Sequence, residues 1–158
     1  MRMQILSLVD HPELLRPLAA LHHLEWGHVS PFKTVEQHAD KLAARIGSRP
    51  VPATYVLLIE HVVAGSVSLL EHDDIGHVRP DLSPWLASLL VVNRFRRCGY
   101  GRALVDYCMG EARAVGVQAL YLYTHTHSEY YARIGWRTIE ERASRDSEVT
   151  VMRLQLAS

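Results

Sequence analysis

Trp85-Leu86-Ala87-Ser88-Leu89-Leu90-Val91-Val92, followed by Asn93-Arg94-Phe95-Arg96-Arg97-Cys98-Gly99-Tyr100-Gly101-Arg102, is the stretch that decides how this chain reads. Its first half is nearly continuous apolar sequence, the pattern of a strand covered on both faces. A basic, glycine-containing turn follows. The spacing then predicts a helix from about Arg102 to Val115, with Leu104, Tyr107, Cys108, Ala112 and Val115 as its buried stripe and Gly116 at its end. Gly99 and Gly101 open backbone conformations closed to other residues and let a ligand come close. The helix mouth offers unpaired N–H groups and partial positive charge. Together these features suit a pyrophosphate, and Arg94, Arg96, Arg97 and Arg102 add charge around it. Two other phosphate loops fit poorly. A Walker A loop ends in Gly-Lys-Ser/Thr, which is missing here. A Rossmann turn needs a third glycine where this chain has Leu104, and it opens a fold rather than following three strands.

Working outward, Met3 to Leu8 reads as a first strand, and Asp10 and Pro12 open a helix carrying Leu14, Leu15, Leu18, Leu21 and Leu24. Pro17 is awkward inside it, so it kinks the helix or moves its start. Thr34 is an N-cap with Gln37 placed to complete a capping box. Val35, Ala39, Leu42 and Ile46 then form one apolar face that ends at Gly47. Arg49 to Pro52 is a loop. Thr54 to Glu60 and Val62 to Leu70 read as an antiparallel hairpin broken at Glu60-His61. Glu71 to Pro84, with Gly76, is a connecting loop and the expected mobile segment. Ala119 to Thr124 is a second buried strand, Ser128 to Arg133 a short helix ended by Gly135, and Trp136 to Glu141 and Val149 to Leu156 are closing strands. The order predicts an α/β (α+β) layer, a mixed sheet with helices on its faces, and a single domain over residues 1–158.

Composition narrows the function. The chain has 158 residues, is 48% hydrophobic, and has equal counts of basic and acidic residues, 17 each. Zero formal charge argues against a nucleic-acid binder, which would normally be basic. No apolar run approaches the roughly 18 residues of a membrane span. The first ten residues are too polar for a signal peptide. Cys98 and Cys108 form neither a disulfide framework nor a zinc pattern, so a cytoplasmic location is expected.

At Arg96 to Gly101 the chain resembles the GNAT acetyltransferases, whose acetyl-CoA motif is Gln/Arg-x-x-Gly-x-Gly/Ala. The resemblance follows element order over most of the chain and is sharpest from Trp85 to Trp136. Pro84 to Val91, Leu120-Tyr121-Leu122-Tyr123-Thr124 and Tyr130-Tyr131-Ala132-Arg133-Ile134-Gly135-Trp136 look like a bacterial, small-molecule-type branch. It implies a mostly antiparallel sheet whose central strands, Leu86–Val91 and Ala119–Thr124, splay apart. The pantetheine of acetyl-CoA would lie in that gap against Leu89, Leu90, Val91 and Thr124. Amides from Arg97 through Cys98, Gly99, Tyr100 and Gly101 to Arg102 would hold the pyrophosphate beside Arg96. The Leu89 N–H would polarise the thioester carbonyl. Tyr131 matches the family tyrosine that faces the departing thiolate. The acceptor would be a small amine or a protein N-terminus.

The resemblance departs at one position. Many relatives carry a glutamate at the start of the central strand, where this chain has Trp85. Glu25, His28, Glu71, Asp81 and His125 are the alternative bases, directly or through water. Glu25, Trp26, Trp85 and His125 are candidate acceptor-binding residues. His125 and His127 lack a third ligand, and His22-His23 with Glu25 lacks the i, i+4 histidine pair, so no metal is expected. Cys98 reads as a small turn residue, because direct transfer needs no acyl-enzyme. A non-catalytic acyl-CoA sensor is the alternative reading. An exposed strand edge could pair two subunits as a homodimer.

Overall fold

The computed structural model describes residues 2–47, 50–73, 79–144 and 147–156. Arg49 and the stretch 74–78, with Gly76, lie outside the described residues. β1 (Met3–Ser7), β2 (Ala53–Ile59), β3 (Val62–Leu70), β4 (Trp85–Val91), β5 (Ala119–Thr124), β6 (Arg137–Ser144) and β7 (Ser147–Gln155) make one seven-stranded sheet in the order β1-β2-β3-β4-β5-β7-β6. All neighbours are antiparallel except β4 and β5, which run parallel and share a single register pair, Trp85 with Tyr121. The amide of Tyr121 donates to the Pro84 carbonyl at 3.1 Å, and beyond that point the strands part.

Helices on both faces explain why β2 is apolar at every position but Thr54. Val56 and Leu58 face α1 (Leu15–Trp26) and α2 (Val35–Ala43), in a core with Leu8, Leu18, Ala19, Ala39 and Leu42. Tyr55, Leu57 and Ile59 face the other way, toward Leu104, Val105, Cys108 and Ala112 of α3 (Tyr100–Ala114). Tyr131 of α4 (Ser128–Arg133) joins this second core. A third cluster, Leu82, Trp85, Val149 and Val151, closes the far end of the sheet. Among the described residues no helix is long and apolar enough to cross a membrane.

Several boundaries moved for identifiable reasons. Pro17 lies in the first turn of α1, where its missing N–H has no intrahelical partner to lose. Two short 3-10 turns, Leu8–Asp10 and Pro12–Leu14, precede it. α2 ends at Ala43 rather than Gly47, because the amides of Arg45 and Ile46 bond three residues back, to Leu42 and Ala43, and tighten the chain out of the helix. Thr34 caps it as expected, its Oγ1 accepting the Gln37 amide at 3.1 Å. α3 begins at Tyr100, two residues before the expected start, and ends at Ala114; Val115 is its C-cap and is 46% exposed, outside the buried stripe. Glu60 and His61 both take positive φ (48° and 68°), the geometry of a tight two-residue hairpin turn.

β3 carries hydroxyls into the α1–α2 side of the sheet. His22 of α1 is 2% exposed and its Nε2 lies 2.9 Å from Ser66 Oγ. Burial, followed by the nearby positive charges of Arg45 and Lys41, lowers the His22 pKa to about 3. The folded chain therefore holds this imidazole neutral, whereas the unfolded chain binds a proton below about 6.5. Its contribution to stability is full above about 6.5 and declines as pH falls toward 3. Thermal unfolding from pH 7.5 to 4.5 should show a steeper loss of Tm for the wild type than for His22→Gln; equal slopes would place the linkage elsewhere.

Candidate functional site

The parting of β4 and β5 opens a cleft of about 1050 Å³. β4 lines one wall from Leu86 to Val91, and Leu122 to His127 with Tyr131 line the other. The α1 end, the segment leading to α2 and α2 itself close it above with Glu25, Trp26, Phe32, His38 and Lys41.

The shape of the β4 wall comes from a bulge. Ser66 pairs with Leu90 and Ser68 with Ala87, so Ser88 and Leu89 together oppose Val67. Ser88 takes φ +54°, a left-handed conformation that favours glycine. A bulge of this kind bends the strand and re-aims the residues after it. Leu89, Leu90 and Val91 follow it along the cleft. At the same place Gly65 lets β3 come close: a Cβ there would lie 2.2 Å from the Leu90 carbonyl oxygen.

At the end of β4 the chain turns into α3. Arg97 (φ +64°) and Gly99 (φ +84°) are both left-handed, and Gly99 is the helix N-cap. The first bond of the helix runs from the Ala103 amide to the Gly99 carbonyl at 3.1 Å. The amides of Tyr100, Gly101 and Arg102 precede it and open at the helix mouth. Gly101 contributes differently from Gly99. It is an ordinary helical residue, and a Cβ there would meet only Val91 Cγ2 at 3.9 Å, so its value is clearance rather than a special φ.

The arginines divide. Arg96 Nε donates to the Val91 carbonyl at 2.7 Å, and its Nη2 reaches Glu25 Oε1 at 3.1 Å. Arg96 therefore ties the turn to β4 and to α1. Arg102 pairs with Asp106 one turn along α3 at 3.0 Å, and Arg94 stacks over Phe95 at 4.7 Å. Cys98 is exposed, with Sγ 3.5 Å from the Arg96 carbonyl, as fits a small turn residue.

Tyr131 is 8% exposed and lies edge-on to Tyr130 and Trp136, with centroids 5.2 and 6.0 Å away. Burial pushes its phenol up to about 12, so it is protonated throughout the neutral range. Thr124 lines the cleft, and its Oγ1 accepts the His127 amide at 3.0 Å. Trp26 stands edge-on to His22 at 4.9 Å, and His125 edge-on to Tyr123 at 6.0 Å.

Trp85 does not line the cleft. It is fully buried in the third cluster and its Nε1 donates to the Leu82 carbonyl at 2.8 Å, so its place is structural. Of the alternative bases, Glu25 and His125 line the cleft; His28, Glu71 and Asp81 do not, and Asp81 is paired with Arg79 at 2.9 Å. Phe32 and Asp73 also line the cleft, as do His38 and Lys41, which the sequence reading did not name. His38 had a legible signal: it lies three residues after Val35 and four before Leu42, on the apolar stripe of α2. It is 2% exposed, and its Nε2 is 3.1 Å from the Phe32 carbonyl. A carbonyl only accepts, so Nε2 carries the proton; Nδ1 is buried with no partner among the described residues, and burial lowers the pKa of the ring. Lys41 lies over the Phe32 ring at 4.9 Å. No group of three metal-binding side chains occurs among the described residues.

Known proteins with this geometry point one way. Residues 17–136 match the acetyltransferase (GNAT) family. The ribosomal-protein-S18-alanine N-acetyltransferase from Escherichia coli superposes with TM-score 0.69 at 21% identity, covering 99% of this chain and 96% of that one. A chimera of spermidine N-acetyltransferase from Vibrio cholerae and hSSAT gives TM-score 0.72 at 15% identity, over 99% and 96% of the two chains. An aminoglycoside 6'-N-acetyltransferase complexed with coenzyme A gives TM-score 0.74 at 15% identity, over 100% and 98%. No curated protein matches in sequence.

The left-handed N-cap makes a direct prediction. Gly99→Val has open space for its side chain, since a Cβ there meets nothing within 4 Å. The positive φ should still cost about 1–2 kcal/mol. The variant should fold with a modestly lower Tm and lose coenzyme A binding in calorimetry. Unchanged affinity would remove the helix mouth from the site.

Proposed function

The chain belongs to the acetyltransferase (GNAT) family, and from that premise we propose that it transfers an acetyl group from acetyl-CoA directly to a primary amine. One observation carries this reading: the stretch of β4 that β5 leaves unpaired leads, through a short 3-10 turn at Asn93–Phe95, into a left-handed glycine turn at a helix mouth. A thioester with a long amide arm and a diphosphate needs those features in that order.

In this reading the diphosphate rests on the amides from Arg97 to Arg102, where main-chain N–H groups and the α3 dipole favour an anion. The arm lies along Leu89, Leu90 and Val91, whose edge β5 leaves unpaired, and passes Thr124. The Leu89 N–H points at the thioester oxygen and stabilises the charge that develops there. The amine attacks the carbonyl carbon, the C–N bond forms and the C–S bond breaks. Held together in one cleft, both reactants gain from positioning.

Proton movements follow from the groups present. The attacking nitrogen must be neutral and must lose a proton after attack. Of the candidates that line the cleft, Glu25 is engaged by Arg96, so the proton leaves through water past His125. The departing sulfur meets Tyr131. Its phenol stands at about 12, whereas a thiol is about 8.5. Complete transfer across that gap would cost about 5 kcal/mol. Tyr131 therefore acts chiefly by holding its O–H as a hydrogen bond to the developing thiolate, and the proton that completes CoA comes from the amine through solvent. The lining carries both signs, Glu25 and Asp73 against Lys41 and Arg96, which favours an acceptor with one amine over a polycation.

Tyr131→Phe should lower kcat by about tenfold or more while leaving the Kd for CoA within about twofold. Release of CoA from acetyl-CoA, followed with tyramine, spermidine, kanamycin and an alanine-starting peptide, tests the function itself. Amine-dependent release is expected. Tight CoA binding with no release on any amine would instead favour the acyl-CoA sensor.

A further inference from the structure

We propose that Arg45, outside the cleft, is the positioning residue that holds the β4 bulge in the form that presents Leu89 to the acyl group; this rests on the transferase reading above. Arg45 follows α2 in the turn that ends that helix and is 7% exposed. Its Nη1 donates to Ser68 Oγ at 3.0 Å on β3 and to Ser88 Oγ at 3.2 Å on β4. Ser68 Oγ lies in turn 2.8 Å from Thr54 Oγ1 on β2. One guanidinium nitrogen thus fastens β3 and β4 directly, and β2 through Ser68, at the level of the bulge.

Ser88 is where this matters. It is the first of the two bulged residues, it lines the cleft, and it holds φ +54° without being glycine. A non-glycine residue persists in that region only when its surroundings over-determine it. The Arg45 bond supplies that determination through the side chain. Were Ser88 to relax to extended backbone, the peptide between Ser88 and Leu89 would rotate, and the Leu89 N–H would turn away from the gap. The serine hydroxyl is short, so a side-chain bond at Ser88 constrains its own backbone closely. His22 makes a parallel contact to Ser66, the neighbouring inward hydroxyl of β3, which fixes the α1–α2 layer over this part of the sheet.

The consequence is separable from binding. Coenzyme A lacks the acetyl oxygen, so a misdirected Leu89 amide should cost turnover and spare the free coenzyme. With acetyl-CoA and whichever of the four amines above the wild type acetylates, Arg45→Gln should lower kcat by about tenfold to a hundredfold. Its Kd for CoA should stay within about twofold. Ser88→Ala, which removes only the hydroxyl, should lower kcat about threefold or more. The double variant Arg45→Gln with Ser88→Ala should be no slower than Arg45→Gln alone. Ser88→Gly in the Arg45→Gln background should recover turnover, because glycine takes the left-handed conformation unaided. Unchanged kcat in Ser88→Ala, multiplicative losses in the double variant, or CoA affinity falling in step with kcat would overturn the proposal. If Arg45→Gln fails to fold, Ser88→Ala alone decides. A wild type that binds acetyl-CoA and acetylates no amine overturns the transferase reading, and this one falls with it; an active wild type with indifferent Ser88 variants overturns only the role of Arg45.

Discussion

The molecule is organised around a pairing that stops. Neighbouring parallel strands normally satisfy each other's backbone groups along their length. Here β4 and β5 meet at Trp85 and Tyr121 and then diverge. The rest of the sheet is laddered, so this gap is a local departure in a regular frame. Both flanks are held firmly: β3 grips β4 on one side, with Gly65 allowing the close approach, and β7 pairs with every residue of β5 on the other. A wedge cut into a firm sheet keeps its shape, and a ligand that supplies amide groups can complete the missing ladder.

Much of this was legible in the residues. The apolar run from Trp85, the glycines at Gly99 and Gly101 and the amphipathic stripe of α3 place the turn correctly, because each follows from backbone sterics or periodicity. The GNAT fold follows from element order and motifs together. What stayed hidden depends on contacts between distant segments. The burial of Trp85 needs β7 and the Leu82 carbonyl. The pairing of Arg96 with Glu25 spans from the βα turn to α1. The bulge at Ser88 leaves no local signal, since serine is not the residue that a left-handed position advertises. His38 and Lys41 enter the cleft only because the chain after α1 folds back over β4.

The two faces of the sheet are built differently. The α3 side is a core of aliphatic and aromatic side chains. The α1–α2 side buries His22, Arg45, Thr54, Ser66 and Ser68 among its leucines. Buried polar groups are tolerable when they bond one another, and they then allow few alternative packings. Such a network lies directly behind the β4 wall, where small displacements matter most.

The contact between Arg96 and Glu25 joins the glycine turn to the end of α1 across the mouth of the cleft. Both side chains are substantially open to solvent, 44% and 39%. Their attraction therefore weakens as dissolved ions accumulate, over a screening distance of about 8–10 Å near physiological ionic strength. The aperture between α1 and the glycine turn is thus fastened by a clasp that brine loosens, while the hydrogen bond from Arg96 to the Val91 carbonyl keeps the turn itself anchored to its strand.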